Sequence, residues 1–314
     1  MNQAFQFFSK TFLNLVQISV ILCGIATIFG FLGEYFWLFD LFSHFRIQYL
    51  IVAAVCACIL YYAGKSHLGM LSIIIIIFNF CQFYQYYIPK EDNHTPPEIS
   101  VLTYNVFTNN DNYKDVIEAI HSSETDIVFL MEVNQAWITK LRILGETYPY
   151  KIIQAREDNF GVALYSKYPL EKQQIKYFSD VPSIFAKIQI GQKSLNIIGT
   201  HPVPPASRFG TKSRNKHLSS LASFSNNLEN EVLIMGDLNT TPFSFAFQKL
   251  LKDANFTDSA IGFGLSPTWS QQLPIFAIAI DHILVSKNTT VIERTVGKSF
   301  GSDHSMVMAK LAFD

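Results

Sequence analysis

The sequence predicts an α/β domain of largely antiparallel sheets flanked by helices, preceded by an apolar helical segment. Three observations carry this. From residue 99 onward, strand-like apolar runs alternate with segments of helical period. Before about Tyr87 the chain runs in long stretches with scarcely a charge. Polar residues suited to chemistry fall at the ends of the later apolar runs.

Of the 314 residues 49% are hydrophobic and 16% charged, too apolar for an ordinary water-soluble protein, and the excess is concentrated in the first part. Three stretches, 12–32, 47–63 and 68–87, each approach the ~20 residues that cross a bilayer. Tyr35, Trp37, Tyr61, Tyr62, Tyr84, Tyr86 and Tyr87 lie at their edges, where an interfacial aromatic belt belongs. The first stretch is longer than the ~7–15-residue core of a cleaved signal. The expected organisation is a three-helix transmembrane region over 1–88, a linker over 89–97 bounded by Pro89, Pro96 and Pro97, and a catalytic domain over 98–314. Three spans would put Lys10 and Lys65 on one side and Arg46 and Lys90 on the other, so positive charge does not choose an orientation. Spans without ionisable residues argue against a transporter. The net charge of −1 shows no nucleic-acid footprint. Cys23, Cys56, Cys58 and Cys81 all lie in the apolar part, which excludes a disulfide framework or thiolate zinc site in the remainder.

After the linker, residues 99–104 read as a strand ending at Asn105 and 113–121 as a helix capped by Asp111 or Asn112. Residues 126–131 form a strand ending at Glu132, followed by a helix over 135–144. Strands are expected over 151–155, 161–166, 184–190 and 195–199, the last leading into His201-Pro202. Residues 211–228 are helical, 231–235 a strand, 245–251 a helix, and 277–284, 290–296 and 306–311 late strands. Gly262, Gly264, Pro267 and Pro274 mark a loop before the first of these.

The chemistry is expected where these runs end. The strand at 231–235 delivers Asp237 and Asn239 to a turn; two residues apart, they can face one pocket. A carboxylate there can hold a metal or take a proton from water, and an amide both donates and accepts. Glu132, directly after Ile127-Val128-Phe129-Leu130-Met131, is poorly solvated and needs a partner, such as a hard divalent cation. Two Asp-His steps, Asp281-His282 and Asp303-His304, suggest a cross-pairing in which Asp281 orients and charges His304 while Asp303 faces the metal. His201 is held in a loop stiffened by Pro202, Pro204 and Pro205. Arg208, Lys212, Arg214 and Lys216 follow, and of these Arg214 is a candidate for the phosphate. Each piece alone has a plainer account. Asp237 and Asn239 suit turn chemistry, Glu132 a cap or salt bridge, His201 and the Asp-His pairs structural roles, and the basic run the solvated face of a helix.

Together the pieces resemble the endonuclease/exonuclease/phosphatase superfamily of metal-dependent phosphoesterases. The matching motifs are Thr103-Tyr104-Asn105, Met131-Glu132, Thr200-His201-Pro202, Gly236-Asp237-Leu238-Asn239, Ile280-Asp281-His282 and Gly301-Ser302-Asp303-His304, in the family's order over about 98–311. The apolar spans, His201-Pro202-Val203-Pro204-Pro205 and Thr268-Trp269 are similar to a bacterial membrane-anchored branch. The resemblance implies a four-layer α/β sandwich and a Mg²⁺ or Mn²⁺ site. It makes Glu132 the principal metal ligand, with Asn105 and Asp303 nearby. Asp237 would position or deprotonate water, Asn239 would hold a phosphoryl oxygen, and His304, supported by Asp281, would bind phosphate with His201. The base remains open between Asp237 and His304. The expected function is a membrane-anchored, divalent-metal-dependent phosphoesterase acting on a lipid head group, nucleotide or nucleic acid. Nucleic acid is not favoured, because no basic gripping loop is evident. The alternatives are an endonuclease, and a membrane-tethered binding module that keeps the fold without turnover. The expected setting is a bacterial inner membrane with several spans in the lipid bilayer and the catalytic domain on the extracytoplasmic face.

Overall fold

The computed structural model describes residues 3–89 and 95–313, with side chains from Lys10 onward in the first helix. Most of the expected linker, residues 90–94, lies outside the described residues. The chain divides into two compact units, Met1–Gln85 with Phe243–Phe245, and Tyr86–Pro242 with Ala246–Asp314.

The first unit holds α1 (Gln3–Phe31), α2 (Trp37–Ser43), α3 (Arg46–Tyr62) and α4 (Ser66–Phe80). Val16, Val20, Ala53, Cys56, Leu60 and Ile75 pack between the helices, while Leu15, Leu22, Ile28, Val55 and Ile77 are exposed. Among the described residues one helix, Lys10–Phe31, is by itself long and apolar enough to cross a bilayer, and only 22% of its apolar window is buried. α2 and α3 meet that test only together, bent by 61°. The expected third span is corrected: α4 stops at Phe80 and reaches about 22 Å, less than a hydrocarbon core. Composition over 68–87 reports apolarity, not the point where the backbone leaves the helix, and the chain turns into a 3₁₀ helix at Tyr84–Tyr87. Arg46, expected at an edge, is buried. It donates to Thr27 O at 2.9 Å and Asn79 Oδ1 at 3.4 Å, which ties α1, α3 and α4 together through a polar network.

The second unit runs β1 (Ile99–Asn105), α5 (Tyr113–Ser122), β2 (Ile127–Met131), α6 (Gln135–Lys140), β3 (Tyr150–Gln154), β4 (Val162–Ser166), β5 (Lys172–Tyr177), β6 (Pro182–Ile190), β7 (Lys193–Thr200), α7 (Arg208–Ser225), β8 (Glu231–Asp237), α8 (Phe245–Ala254), β9 (Phe256–Asp258), β10 (Asp281–Ser286), β11 (Thr289–Val296) and β12 (Val307–Phe313). Two six-stranded sheets form, ordered β11-β12-β1-β2-β4-β3 and β5-β6-β7-β8-β10-β9. The pairs β1–β2 and β7–β8 are parallel and the rest antiparallel.

The period-2 alternation of each strand builds the layers. Ile127, Phe129 and Met131 of β2 meet Leu233 and Met235 of β8 between the sheets. Val128 and Leu130 turn outward onto Val116, Ile120 and Trp137 of the helices over the first sheet. Val232 and Ile234 do the same towards Leu218, Leu221 and Phe247 on the second. Strands buried on both faces read as continuous apolar runs. The result is the expected four-layer sandwich. Gly236, at φ 145°, is required where β8 passes β7, because a Cβ there would lie 2.0 Å from Thr200 O.

Some details differ from expectation, among them the short strand β9, which was not anticipated. The helix expected over 135–144 ends at Lys140 and continues as the 3₁₀ segment Leu141–Glu146. α7 starts earlier than expected, because Ser207 caps it by accepting from Gly210 N. The strand expected from 277 starts at Asp281. β5 was not anticipated, because Lys172-Gln173-Gln174-Ile175-Lys176-Tyr177 is an edge strand with mostly exposed side chains and so shows no apolar run.

Candidate active site

Register places the chemistry. In the parallel pair β1–β2, Asn105 lies opposite Met131, next to Glu132. In the antiparallel pair β10–β8, Asp281 lies opposite Asp237. β7 ends at Thr200 and hands His201 to the same rim, and the loop before β12 adds Asp303 and His304. Both sheets therefore supply one cavity of about 480 Å³, lined by Glu132, His201, Asp237, Asn239, Asp303 and His304 among the expected residues. Its wall also includes Phe107, Asp158, Asn159, Phe160, Pro204, Trp269 and Ile280.

Asp237 is at the centre and is 2% exposed. Oδ1 accepts from Asn239 N at 2.8 Å, so the turn role is real. Oδ2 faces His201 Nε2 at 3.4 Å, His304 Nε2 at 3.7 Å and the Asn105 amide nitrogen at 3.4 Å. Burial alone would raise the Asp237 carboxyl. The hydrogen bond from His201 and the charges of His304 and His201 outweigh it and hold the group below the usual carboxylate range.

His304 Nδ1 lies 2.9 Å from Asp281 Oδ2, the cross-pairing anticipated from the two Asp-His steps. Burial would lower this imidazole, but Asp281, then Asp237 and Asp303, raise it to about 10, so it is an imidazolium at neutral pH. Its backbone N–H donates to Ser302 Oγ at 3.0 Å, and Ser302 Oγ donates to Asn105 O at 2.8 Å, which stitches the loop to β1. His201 is also raised: burial opposes the proton, while Asp237 and Glu132 more than compensate. Among the described residues its Nδ1 has no hydrogen-bond partner.

Glu132 is held differently. Its Oε2 accepts from Thr108 N at 3.1 Å and Thr108 Oγ1 at 3.3 Å, and Oε1 accepts from Asn105 Nδ2 at 2.9 Å. Glu132, Phe107 and Asn239 have φ of 61°, 62° and 49°, sparsely populated values for side-chain-bearing residues, and here they cluster at one site. Asp303 is half open to the cavity, with Oδ2 accepting from Trp269 Nε1 at 3.0 Å.

Two expectations need correction. Asn105 was grouped with the metal ligands, but its Oδ1 accepts from Phe107 N at 3.0 Å and its amide nitrogen points at the carboxylates. It bridges Glu132 and Asp237 as a donor. Arg214 was expected on the phosphate. It is fully buried in α7, donates to Asn239 O at 3.1 Å and Asn215 Oδ1 at 2.9 Å, and does not line the cavity. It braces the turn from beneath. Asn239 Nδ2 donates to Pro202 O at 2.9 Å, locking that turn to the His201 loop.

Thr108 escaped the sequence reading. Thr108 sits in Asn105-Val106-Phe107-Thr108-Asn109 with no spacing to mark it, and Trp269 was noted only as part of the resemblance. His217 was missed as well. Fully buried in α7, it lies 2.7 Å from Thr200 Oγ1 and 3.0 Å from Ser179 Oγ, beneath the residue that precedes His201.

Four carboxylates thus gather against two imidazoles, with no Lys or Arg among the described residues lining the cavity. Among the described residues the hydrogen-bond donors to Glu132 and Asp303 are neutral, and His304 Nε2 lies 4.0 Å from Asp303. Such a donor set fits a hard divalent cation. Asp237, Asp281 and His304 also lie close enough together to hold an ion. The 2.9 Å bond between Asp281 and His304 occupies Nδ1, however, which leaves His304 Nε2 facing Asp237 at 3.7 Å.

A family model for the Endonuclease/Exonuclease/phosphatase family matches residues 102–304, well over half of the chain. The chain belongs to this family. Its fold is shared with solved structures of low identity. A humanized TDP2 from D. rerio is 16% identical over 68% of this chain and 98% of its own, with a TM-score of 0.58. An endonuclease/exonuclease/phosphatase from Bacteroides vulgatus is 18% identical over 69% and 99%, also at 0.58. A family protein from Leptotrichia buccalis is 18% identical over 68% and 100%, at 0.57. No curated protein matches. Members of this family are typically hydrolases of phosphoester bonds that use divalent metals.

Proposed function

We propose that this family member is a membrane-anchored phosphoesterase that uses Mg²⁺ or Mn²⁺ to hydrolyse a phosphomonoester or phosphodiester. The observation that carries the reading is Asp237 Oδ2 set between the Nε2 atoms of His201 and His304, in a cavity shared with Glu132 and Asp303. Glu132 and Asp303 would hold the metal, whose chemistry is to neutralise the phosphate and help the departing oxygen.

The protein's own groups account for the rest. Asp237, kept ionised by two imidazoles, orients water and accepts its proton as the oxygen attacks phosphorus. This reading takes Asp237 rather than His304 as the base, supported by the neighbouring carboxylates that raise the His304 imidazole to about 10. The positive charge of His304 and His201 beside Asp237 would stabilise the charge that builds on the phosphoryl oxygens, and Asp281 fixes the His304 ring. Asn239, held by Pro202 O through its amide nitrogen, leaves its oxygen and backbone to shape the turn beside Asp237. Anchoring is supported by the apolar helix Lys10–Phe31 and by the large apolar side chains exposed along the first unit.

The test is turnover of para-nitrophenyl phosphate and bis(para-nitrophenyl) phosphate by the full chain in detergent, with and without Mg²⁺ or Mn²⁺. Metal-dependent release is expected, and Asp237→Asn should lower kcat by about 10³-fold with an unchanged melting temperature. Absence of metal-dependent turnover in the wild type overturns the reading.

A further inference from the structure

The turn that carries Asp237 is clamped from behind at two successive carbonyls. Asn239, at φ 49°, has its carbonyl bonded by Arg214. The next carbonyl, Thr240 O, lies 2.9 Å from His282 Nε2. A backbone conformation of this kind persists where the surroundings over-determine it. Alternation along β10 explains why His282 is free for the task. Asp281 turns to His304 on the cavity side, and His282 turns to the other face of the sheet, where its ring lies 4.5 Å from that of Phe247. A carbonyl only accepts, so the proton of this bond is on Nε2, and Nδ1 points away from the turn. There it faces Asp258 Oδ2 at 3.6 Å.

Asp258 ends β9, is fully buried and has no part in the mechanism above. A carboxylate so placed is costly without partners. Its Oδ1 accepts from Ala260 N at 3.0 Å. Its Oδ2, the oxygen that faces His282, also accepts from Tyr86 Oη at 3.4 Å. Arg294 adds its charge nearby, with Nε donating to Ser259 Oγ at 3.3 Å. Tyr86 is the first residue of the second unit. Expected in an interfacial aromatic belt, it is instead fully buried, and Gly264 N donates to its carbonyl at 2.8 Å. Tyr87 Oη follows by donating to Leu265 O at 3.4 Å. A phenylalanine at 86 would fill the same space with no hydroxyl to desolvate, so the hydroxyl on Asp258 calls for a reason of its own.

We propose that Tyr86 and Asp258 are positioning residues for Asp237: acting through His282, they fix the Thr240 carbonyl and with it the turn that sets Asp237 between His201 and His304. The chain of contacts runs from Tyr86 Oη to Asp258 Oδ2, from there to His282 Nδ1, and from His282 Nε2 to Thr240 O. Tyr86, Asp258 and His282 do not line the cavity. They act on geometry alone, and a misplacement of about 1 Å at a reacting group costs about 10²-fold in rate. The segment by which the chain enters the second unit is thereby part of the support of the catalytic turn. The catalytic consequence rests on the phosphoesterase reading above.

The experiment uses the full chain in detergent and reads two quantities: hydrolysis of bis(para-nitrophenyl) phosphate with Mg²⁺, and amide hydrogen exchange by mass spectrometry. Asp258→Asn should lower kcat about tenfold and Tyr86→Phe about threefold, both with KM within about twofold. The double variant should be no slower than Asp258→Asn alone, because Tyr86 acts through that carboxylate. In both single variants a peptide spanning 236–241 should exchange faster than in the wild type, while one spanning 127–132 should not change. A merely structural role would lower the melting temperature and leave kcat of the folded protein, and exchange in the turn, as they were. Tyr86→Phe keeps the ring, so it carries the test even if Asp258→Asn does not fold. Three results overturn the proposal: unchanged exchange in the turn, faster exchange with unchanged kcat, or losses that multiply in the double variant. A wild type without turnover removes the phosphoesterase reading instead, and exchange in the turn then supports or overturns the clamp by itself.

Discussion

The two sheets bring unlike halves to one cavity. The first sheet contributes Glu132, whose oxygens are met by the Thr108 amide and hydroxyl and by the Asn105 amide, all neutral donors. The second contributes Asp237, which faces two imidazoles, one backed by Asp281. Asp237 is therefore close to charge balance within the protein. Glu132 keeps a buried negative charge that neutral donors orient but do not neutralise, and burying such a charge is costly unless a cation arrives. On the proposed reading this is a division of labour: the first half would receive the metal, and the second would handle protons.

The division is broken most directly at Glu132. Glu132→Gln keeps shape and most hydrogen bonds but removes the charge. Turnover should fall by about 10³-fold at ordinary Mg²⁺. A readout independent of activity is the rise in melting temperature on adding Mg²⁺ to the full chain, which follows from binding to the native state. The rise should be present in the wild type, absent in Glu132→Gln, and retained in Asp281→Asn. A Mg²⁺-induced rise in all three would erase the distinction between the halves.

Asp281→Asn probes the other half and should cost less, about 10²-fold in kcat. The sign of its pH effect follows from the partner it removes. Asp281 is the main group that raises His304 to about 10 against the effect of burial. Without it the imidazolium gives up its proton at lower pH, so the alkaline limb of kcat should move towards neutrality. A profile from pH 6 to about 10 checks this, and an unmoved alkaline limb would show that His304 is not the titrating donor.

These halves were unequally legible in the sequence. Asp237, Asn239, Asp281, Asp303 and His304 sit at ends of apolar runs, so position and residue type together marked them, and alternation along the strands predicted the cross-pairing. Most elements were legible for the same reason: strands buried on both faces cannot hide. What escaped depends on three-dimensional approach. Arg214 looks like a cation on a helix near a phosphate loop, and nothing along the chain says that its face turns inward to Asn239 O. Thr108 is one hydroxyl among many. The positive φ of Glu132 and Asn239 follows from how two sheets meet, not from local propensity. In the apolar region, composition located the helices but missed both the stop at Phe80 and the buried setting of Arg46.

The smallest expected effect tests the support beneath the second half. His217 is buried, and desolvation, with the nearby His201 charge, depresses its imidazole to about 3 despite Asp180. It is therefore neutral in the folded state, bonded to Thr200 and Ser179. Below an unfolded pKa of about 6.5 the unfolded chain binds a proton that the native chain refuses, so stability falls as pH drops from about 6.5 towards 3, by up to about 1.4 kcal/mol per unit. At pH 7 the term vanishes, because neither state binds the proton. His217→Gln keeps a polar side chain there without the titration. It should lose a modest part of the melting temperature at pH 7 and show a shallower decline than the wild type between pH 6.5 and about 4.5. Parallel declines in the two proteins would place the acid sensitivity elsewhere, in carboxylates such as Asp258, whose carboxyl His282 holds low against burial and which must take up a proton as pH falls further.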